Sequence, residues 1–138
     1  MITIKKQEIV KLEDVLHLYQ AVGWTNYTNQ PQMLEKALSH SLVIYLALDG
    51  DAVVGLIRLV GDGFSSVFVQ DLIVLPSYQR QGIGSSMMKE ALADYKGAYQ
   101  VQLATEQTEK TLGFYRSLGF ETLSTYDCTG MIWVDRKN

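Results

Sequence analysis

The stretch Asp71-Leu72-Ile73-Val74-Leu75-Pro76-Ser77-Tyr78-Gln79-Arg80-Gln81-Gly82-Ile83-Gly84-Ser85 carries residue types suited to phosphate. A β-forming run leads through a short polar turn into a helical period that opens on Gly82 and Gly84. Such a helix start exposes backbone N–H groups without intrahelical partners and the positive end of the helix dipole. Gly82 and Gly84 remove side chains that hold a ligand off the backbone. Arg80 adds a charge-assisted contact. Together these features suit phosphate oxygens. Alone, Gly-x-Gly at a helix start reads equally well as a tight turn with close helix packing. Two other phosphate patterns fail on the letters. A dinucleotide fingerprint needs a third Gly where Met87 stands. A triphosphate loop needs Gly-Lys-Ser or Gly-Lys-Thr, which is absent.

Asp71 interrupts a run of Val, Ile and Leu, where a carboxylate is costly unless paired. It reads either as a general base tuned by burial or as the structural partner of Arg58. Glu106 and a water chain are the other candidate bases. Trp24 and Tyr27, among Thr and Asn, read as core plugs or as one wall of an acceptor pocket. His17 and His40 group with neither Cys128 nor carboxylates at metal-ligand spacing, so no metal is expected.

The elements that must position these residues follow from hydrophobic period. Ile2 and Ile4 mark a first strand. Leu12, Val15, Leu16, Tyr19 and Val22 fall at helical spacing until Gly23. After the loop Trp24–Gln30, Pro31 opens a second helix with Leu34, Ala37 and Leu38 on one face. Val43–Leu48 and Ala52–Val60 flank an Asp49-Gly50 hairpin turn. Phe64–Leu75 then forms a central strand stopped by Pro76. Ile83, Met87, Met88, Ala91, Leu92 and Tyr95 make the stripe of a helix ending at Gly97. Val101–Ala104 is a short strand, and Leu112, Tyr115 and Leu118 mark a helix ending at Gly119. Glu121–Tyr126 and Met131–Val134 are expected as last strands, with Cys128 a small, partly buried strand residue. The order is β-α-α-β-β-β-α-β-α-β-β. It is an α/β fold in one domain, residues 1–138, with a mixed and mostly antiparallel sheet flanked by helices.

At 138 residues the chain has the size of one domain. Its formal charge of −3 and scattered basic residues argue against a nucleic-acid surface. Its single Cys excludes an intrachain disulfide and fits a reducing compartment. No apolar run reaches the roughly 20 residues of a membrane span. A cytoplasmic protein without a membrane partner is expected.

Gln79-Arg80-Gln81-Gly82-Ile83-Gly84 resembles the (Gln/Arg)-x-x-Gly-x-(Gly/Ala) signature of the GNAT superfamily of acyl-CoA-dependent N-acyltransferases. Phe114-Tyr115-Arg116-Ser117-Leu118-Gly119-Phe120 is similar to that family's Phe-Tyr-x-x-x-Gly-Phe segment. The order of elements agrees along nearly the whole chain.

The resemblance implies that the turn Gln79–Ser85 holds the pyrophosphate of coenzyme A on backbone N–H groups of Gln81–Ser85, Ile83 among them. It implies that the central strand splays from its neighbour, so that the pantetheine arm bonds backbone groups near Ile73 and Val74. A backbone N–H there would polarise the thioester carbonyl. It gives Tyr115 the part of general acid toward the departing thiolate. Without the family, Tyr115 reads as a core aromatic beside Leu112 and Leu118. It also places Trp24 and Tyr27 beside the acceptor. Where many members carry Asn and Ala, this chain has Thr108 and Thr111, with Thr108 the residue to keep a cofactor hydrogen bond.

The expected activity is transfer of an acetyl group from acetyl-CoA to a primary amine of a small molecule by direct attack. A non-catalytic acyl-CoA sensor and a protein-amine acetyltransferase are the alternatives. A homodimer is compatible with all three.

Overall fold

In the computed structural model, which describes Met1–Asp135, the hairpin expected around Asp49-Gly50 is present. It joins β2 (Val43–Asp49) to β3 (Ala52–Gly61). Gly61-Asp62-Gly63 turns the chain into β4 (Ser66–Val74), again antiparallel. Asp62 organises that turn: its Oδ1 accepts from the N–H groups of Phe64, Ser65 and Ser66 at 2.7, 2.8 and 3.2 Å. β1 (Ile2–Gln7) adds antiparallel to β2, and β5 (Gln100–Leu103) adds parallel to β4. The five strands stand in the order β1-β2-β3-β4-β5.

The chain divides into two compact units, Met1–Leu103 and the segment from Ala104 onward. In the first unit, the two faces of the sheet are covered by different helices. α1 (Leu12–Ala21), α2 (Thr25–Thr28) and α3 (Pro31–Ser39) share one apolar cluster with the sheet. Val15, Leu18, Tyr19, Tyr27, Leu34 and Leu38 pack there with Ile44, Leu46, Leu56 and Ile73. Fully burying a side chain such as Leu34 contributes about 1.5–3 kcal/mol. α4 (Ile83–Asp94) turns Ile83, Met87, Met88 and Ala91 inward. It lies close because a Cβ on Gly55 would stand 3.1 Å from Met87 Cε. The stripe read from the sequence is therefore the buried face, with the short helix α2 added where a loop was expected.

The second unit contains α5 (Glu109–Ser117). The two last strands expected over Glu121–Tyr126 and Met131–Val134 are not formed among the described residues. Leu123–Tyr126 is a 3₁₀ turn in which Thr125 N–H bonds the Thr122 carbonyl and Asp127 N–H bonds that of Ser124. The hydroxyls of Thr122 and Ser124 meet at 2.9 Å. Ser and Thr in succession offered the chain a local hydrogen-bonding alternative to a ladder. Met131–Val134 has no regular structure, and Cys128 is exposed instead of lying in a strand.

Candidate functional site

Arg58 and Asp71 face each other across β3 and β4, and both are buried, at 4% and 3% exposure. Arg58 Nε donates to Asp71 Oδ2 at 2.7 Å. The hydroxyl of Tyr19 donates to Oδ2 at 2.8 Å, and that of Tyr27 to Oδ1 at 2.9 Å. Arg58 further reaches Ser41 Oγ at 3.2 Å and Tyr27 Oη at 3.3 Å. Burial opposes the Arg58 charge, yet the neighbouring Asp71 carboxylate prevails and the pKa of Arg58 is raised. Burial first, then Asp71's negative charge, pushes the pKa of both tyrosine hydroxyls up. The tyrosines therefore stay protonated donors. A carboxylate and a guanidinium at such depth are tolerable when each polar atom has a partner. No buried side-chain polar atom lacks one among the described residues.

This network occupies the Asp71 carboxylate, so the strand residue singled out by its charge is a hub of hydrogen bonds. Sequence reasoning paired it with Arg58 but missed Tyr19, Ser41 and Gln70. Tyr19 was visible only as one apolar position on α1. Of the two aromatics, Tyr27 is buried with its hydroxyl committed, and Trp24 is partly buried against Tyr19 and Tyr27 at ring separations of 6.1 and 6.3 Å.

A register shift adjoins this pair. Arg58 faces Asp71 but Leu59 faces Val69, leaving Gln70 as the extra residue of a β-bulge. Neighbouring residues of β3 point to opposite faces, so Val69 and Asp71 do as well. Gln70 Nε2 lies 3.4 Å from Tyr27 Oη. The parallel ladder with β5 spans Ser66–Val69 and ends at the bulge. From Gln70 to Val74, that edge of β4 has no strand beside it in the first unit. Leu75 N–H bonds the Val54 carbonyl on β3. Alternation along the strand then turns the backbone groups of Ile73 toward β3 and those of Val74 toward the open edge.

The turn after β4 holds an uncommon backbone conformation. Arg80, with φ of 66°, and Gly82, with φ of 79°, both occupy the left-handed region. A non-glycine residue held there marks a constrained segment, and such positions cluster at functional sites. Gly82 is the N-cap of α4, and no side chain caps the helix and no acid stands in its first turn. The leading amides of Ile83, Gly84 and Ser85 are thus free to meet an anion. Gln79, Arg80, Gln81 and Gly82 are exposed, and the ion pairs among the described residues do not include Arg80. These donors fit a pyrophosphate. Among the described residues, no group of three His, Cys, Asp or Glu side chains is placed to hold a metal.

In the second unit, Tyr115 lies on α5 with Phe114 and Phe120 at 5.0 and 5.9 Å, both edge-on. It is half-buried, and burial raises its pKa against an opposing hydrogen bond from Thr105. Thr108 is the N-cap of α5. Its Oγ1 accepts from Thr111 N–H at 3.2 Å and donates to Thr111 Oγ1 at 2.9 Å. That capping pair was legible in the Thr-x-x-Thr spacing but not read from it. Glu106 is exposed in the segment leading to α5.

The family of acetyltransferase (GNAT) domains matches residues 40–122, which include the bulge, the open edge, the turn and α5. The chain belongs to the GNAT family. A GNAT family acetyltransferase from Streptococcus pneumoniae TIGR4 is 85% identical, with a TM-score of 0.91 over 99% of this chain and 100% of that one. Serotonin N-acetyltransferase 2, chloroplastic, of Oryza sativa subsp. japonica is 35% identical over 66% of this GNAT chain and 48% of its own length. The chain spans about half the length of the curated relatives it matches. The PaiA N-acetyltransferase from Thermoplasma acidophilum, solved with coenzyme A, shares the fold at 18% identity. Its TM-score is 0.67, over 86% of this chain and 90% of that one. No helix among the described residues of this GNAT domain is long and apolar enough to cross a membrane.

Proposed function

We propose that this GNAT domain is an N-acetyltransferase that moves an acetyl group from acetyl-CoA to the primary amine of a small molecule in the cytoplasm. The observation that carries this reading is the open edge of β4 leading directly into an uncapped, acid-free helix start. Family membership supports it, as do the coenzyme A complex of the Thermoplasma protein and the small amine named for the rice relative.

In this reading the amides of Gln81–Ser85 and the Arg80 guanidinium hold the pyrophosphate, with Gln79 bracing the turn. Bound acetyl-CoA supplies an activated thioester. The N–H of Val74, on the side of the strand turned to the open edge, polarises the thioester carbonyl in this reading. Tyr115 keeps its proton at neutral pH, as a general acid for a departing thiolate must. Asp71 is held by three groups, Arg58, Tyr19 and Tyr27, which suits positioning better than proton abstraction, so the amine's proton goes to Glu106 or a water chain. Thr108 spends its hydroxyl on capping α5 and contributes to the cofactor through that helix. Trp24, the less buried of the two loop aromatics, borders the acceptor.

The deciding experiment is a thiol-release screen with acetyl-CoA against panels of amines, polyamines, amino acids and peptides. Turnover with one class of small amine is expected. Turnover with peptides alone would assign a protein acetyltransferase. Tight coenzyme A binding without turnover in any panel would replace the enzyme with a sensor.

A further inference from the structure

The β4–β5 ladder ends at Val69, and the bulge begins at Gln70. The buried ion pair stands on the next residue, Asp71, and its partner Arg58 is the residue of β3 at which the register shifts. Hydroxyls from two different helices converge on the same carboxylate: Tyr19 from α1 and Tyr27 from α2. Tyr27 also receives the Gln70 side chain, so the bulged residue itself is tied to the network. A bulge bends its strand and increases the local twist. Here it also exchanges the faces of the strand, sending Val69 toward the α4 side and Asp71 toward α1–α3. A regular ladder through residue 70 would put Val69 and Asp71 on one face and so set one of them against the wrong layer.

We propose that Arg58, Asp71, Tyr19 and Tyr27 form a latch that fixes the β4 bulge. In doing so the latch sets the point at which β4 leaves β5 and keeps the Gln70–Val74 edge open for the acyl donor. The four are positioning residues, since their side chains act on the donor only through the strand. The inference rests on the reading of that edge as the acyl-donor site. It links α2, beside the acceptor, to donor affinity.

Two variants separate this role from simple core stability. Replacing the pair by apolar residues in Arg58→Met/Asp71→Leu removes both charges together, a change that cores often accept without loss of stability. Tyr27→Phe deletes one hydroxyl and keeps the ring. Three measurements apply to each: the thermal midpoint, calorimetric titration with coenzyme A, and amide hydrogen exchange of the free protein. The expected result is a folded protein whose coenzyme A dissociation constant rises at least fivefold. Exchange at positions 71 and 73 should accelerate at least tenfold while the β2–β3 amides keep their protection. Uniform acceleration across the sheet, or wild-type affinity with unchanged exchange in both variants, would overturn the latch. Should the wild-type protein bind no coenzyme A, the donor reading falls, and exchange in the free protein decides the latch by itself.

Discussion

Gln79 Nε2 donates to the Val74 carbonyl at 3.0 Å, tying the turn before α4 to the last residue of β4. The bond joins the two halves of the proposed donor site, the open strand edge and the anion-binding turn. Gln79→Glu replaces the donor by an oxygen that repels the carbonyl and adds a negative charge near the turn. Coenzyme A affinity should fall at least tenfold, about 1.4 kcal/mol, with little change in thermal midpoint. Calorimetric titration checks it, and an unchanged dissociation constant removes Gln79 from the site.

Gly82 holds φ of 79° at the N-cap of α4, and a Cβ there would meet nothing within 4 Å. The cost of substitution is therefore one of backbone conformation, not of space. Gly82→Val should weaken coenzyme A binding at least tenfold, again about 1.4 kcal/mol. Gly82→Asn, whose side chain tolerates the left-handed region, should lose less. Equal affinities for Val and Asn variants would detach binding from the shape of this turn.

Trp24 is partly buried against the α1–α3 cluster. Trp24→Ala should destabilise by about 2 kcal/mol, below the 3–5 typical of fully buried aromatics. That corresponds to a midpoint shift of several degrees. If it also borders the acceptor, the amine KM rises while the acetyl-CoA KM holds. A stability loss with unchanged acceptor kinetics would assign it to the core alone.

Tyr115→Phe keeps the ring contacts with Phe114 and Phe120 and removes only the hydroxyl. Loss of a general acid should lower turnover roughly 10²-fold or more. Coenzyme A affinity should change by less than about 1 kcal/mol. Steady-state thiol release beside direct titration separates the two quantities. Turnover within about threefold of wild type ends the general-acid assignment, since a transition-state contact must appear in kcat.

Asp62 supplies the acid sensitivity that can be read most directly. The Ser65 hydroxyl and the N–H groups of Phe64, Ser66 and Ser65 hold its carboxyl below the usual carboxylate range. A depressed folded pKa means that its stabilisation is present above the unfolded value, about 3.9. It is lost as pH falls through the folded value. Asp62→Asn should therefore be less stable near neutrality and show a shallower decline below about pH 4. Urea midpoints measured from pH 7 to the acid limb give both curves; parallel curves would contradict the assignment.

The meander β2-β3-β4 and the stripe on α4 were legible because turn chemistry and apolar period agreed there. Asp49-Gly50 could only be a turn, and Met87, Met88 and Ala91 could only share a helix face. The bulge at Gln70 was not legible. Val67, Val69, Asp71 and Ile73 keep a period of two through it, although the register shows the faces exchange. Leu123–Tyr126 misled in the opposite way, since β-forming Thr and Tyr found partners within four residues. The turn into α4 was legible in outline, since Gly82 stands at the helix start. The left-handed conformation of Arg80, which no side-chain preference announces, was not.

β2, β3 and β4 follow one another through short turns, whereas β5 must return across the whole of α4 before Gln100 meets Ser66. Closing that longer loop costs chain entropy before any ladder bond repays it. The shorter closures of the meander predict that it pairs before β5 adds to it. On that order the whole edge of β4 is exposed early, and refolding should protect the β2–β3 amides before those of Gln100–Leu103.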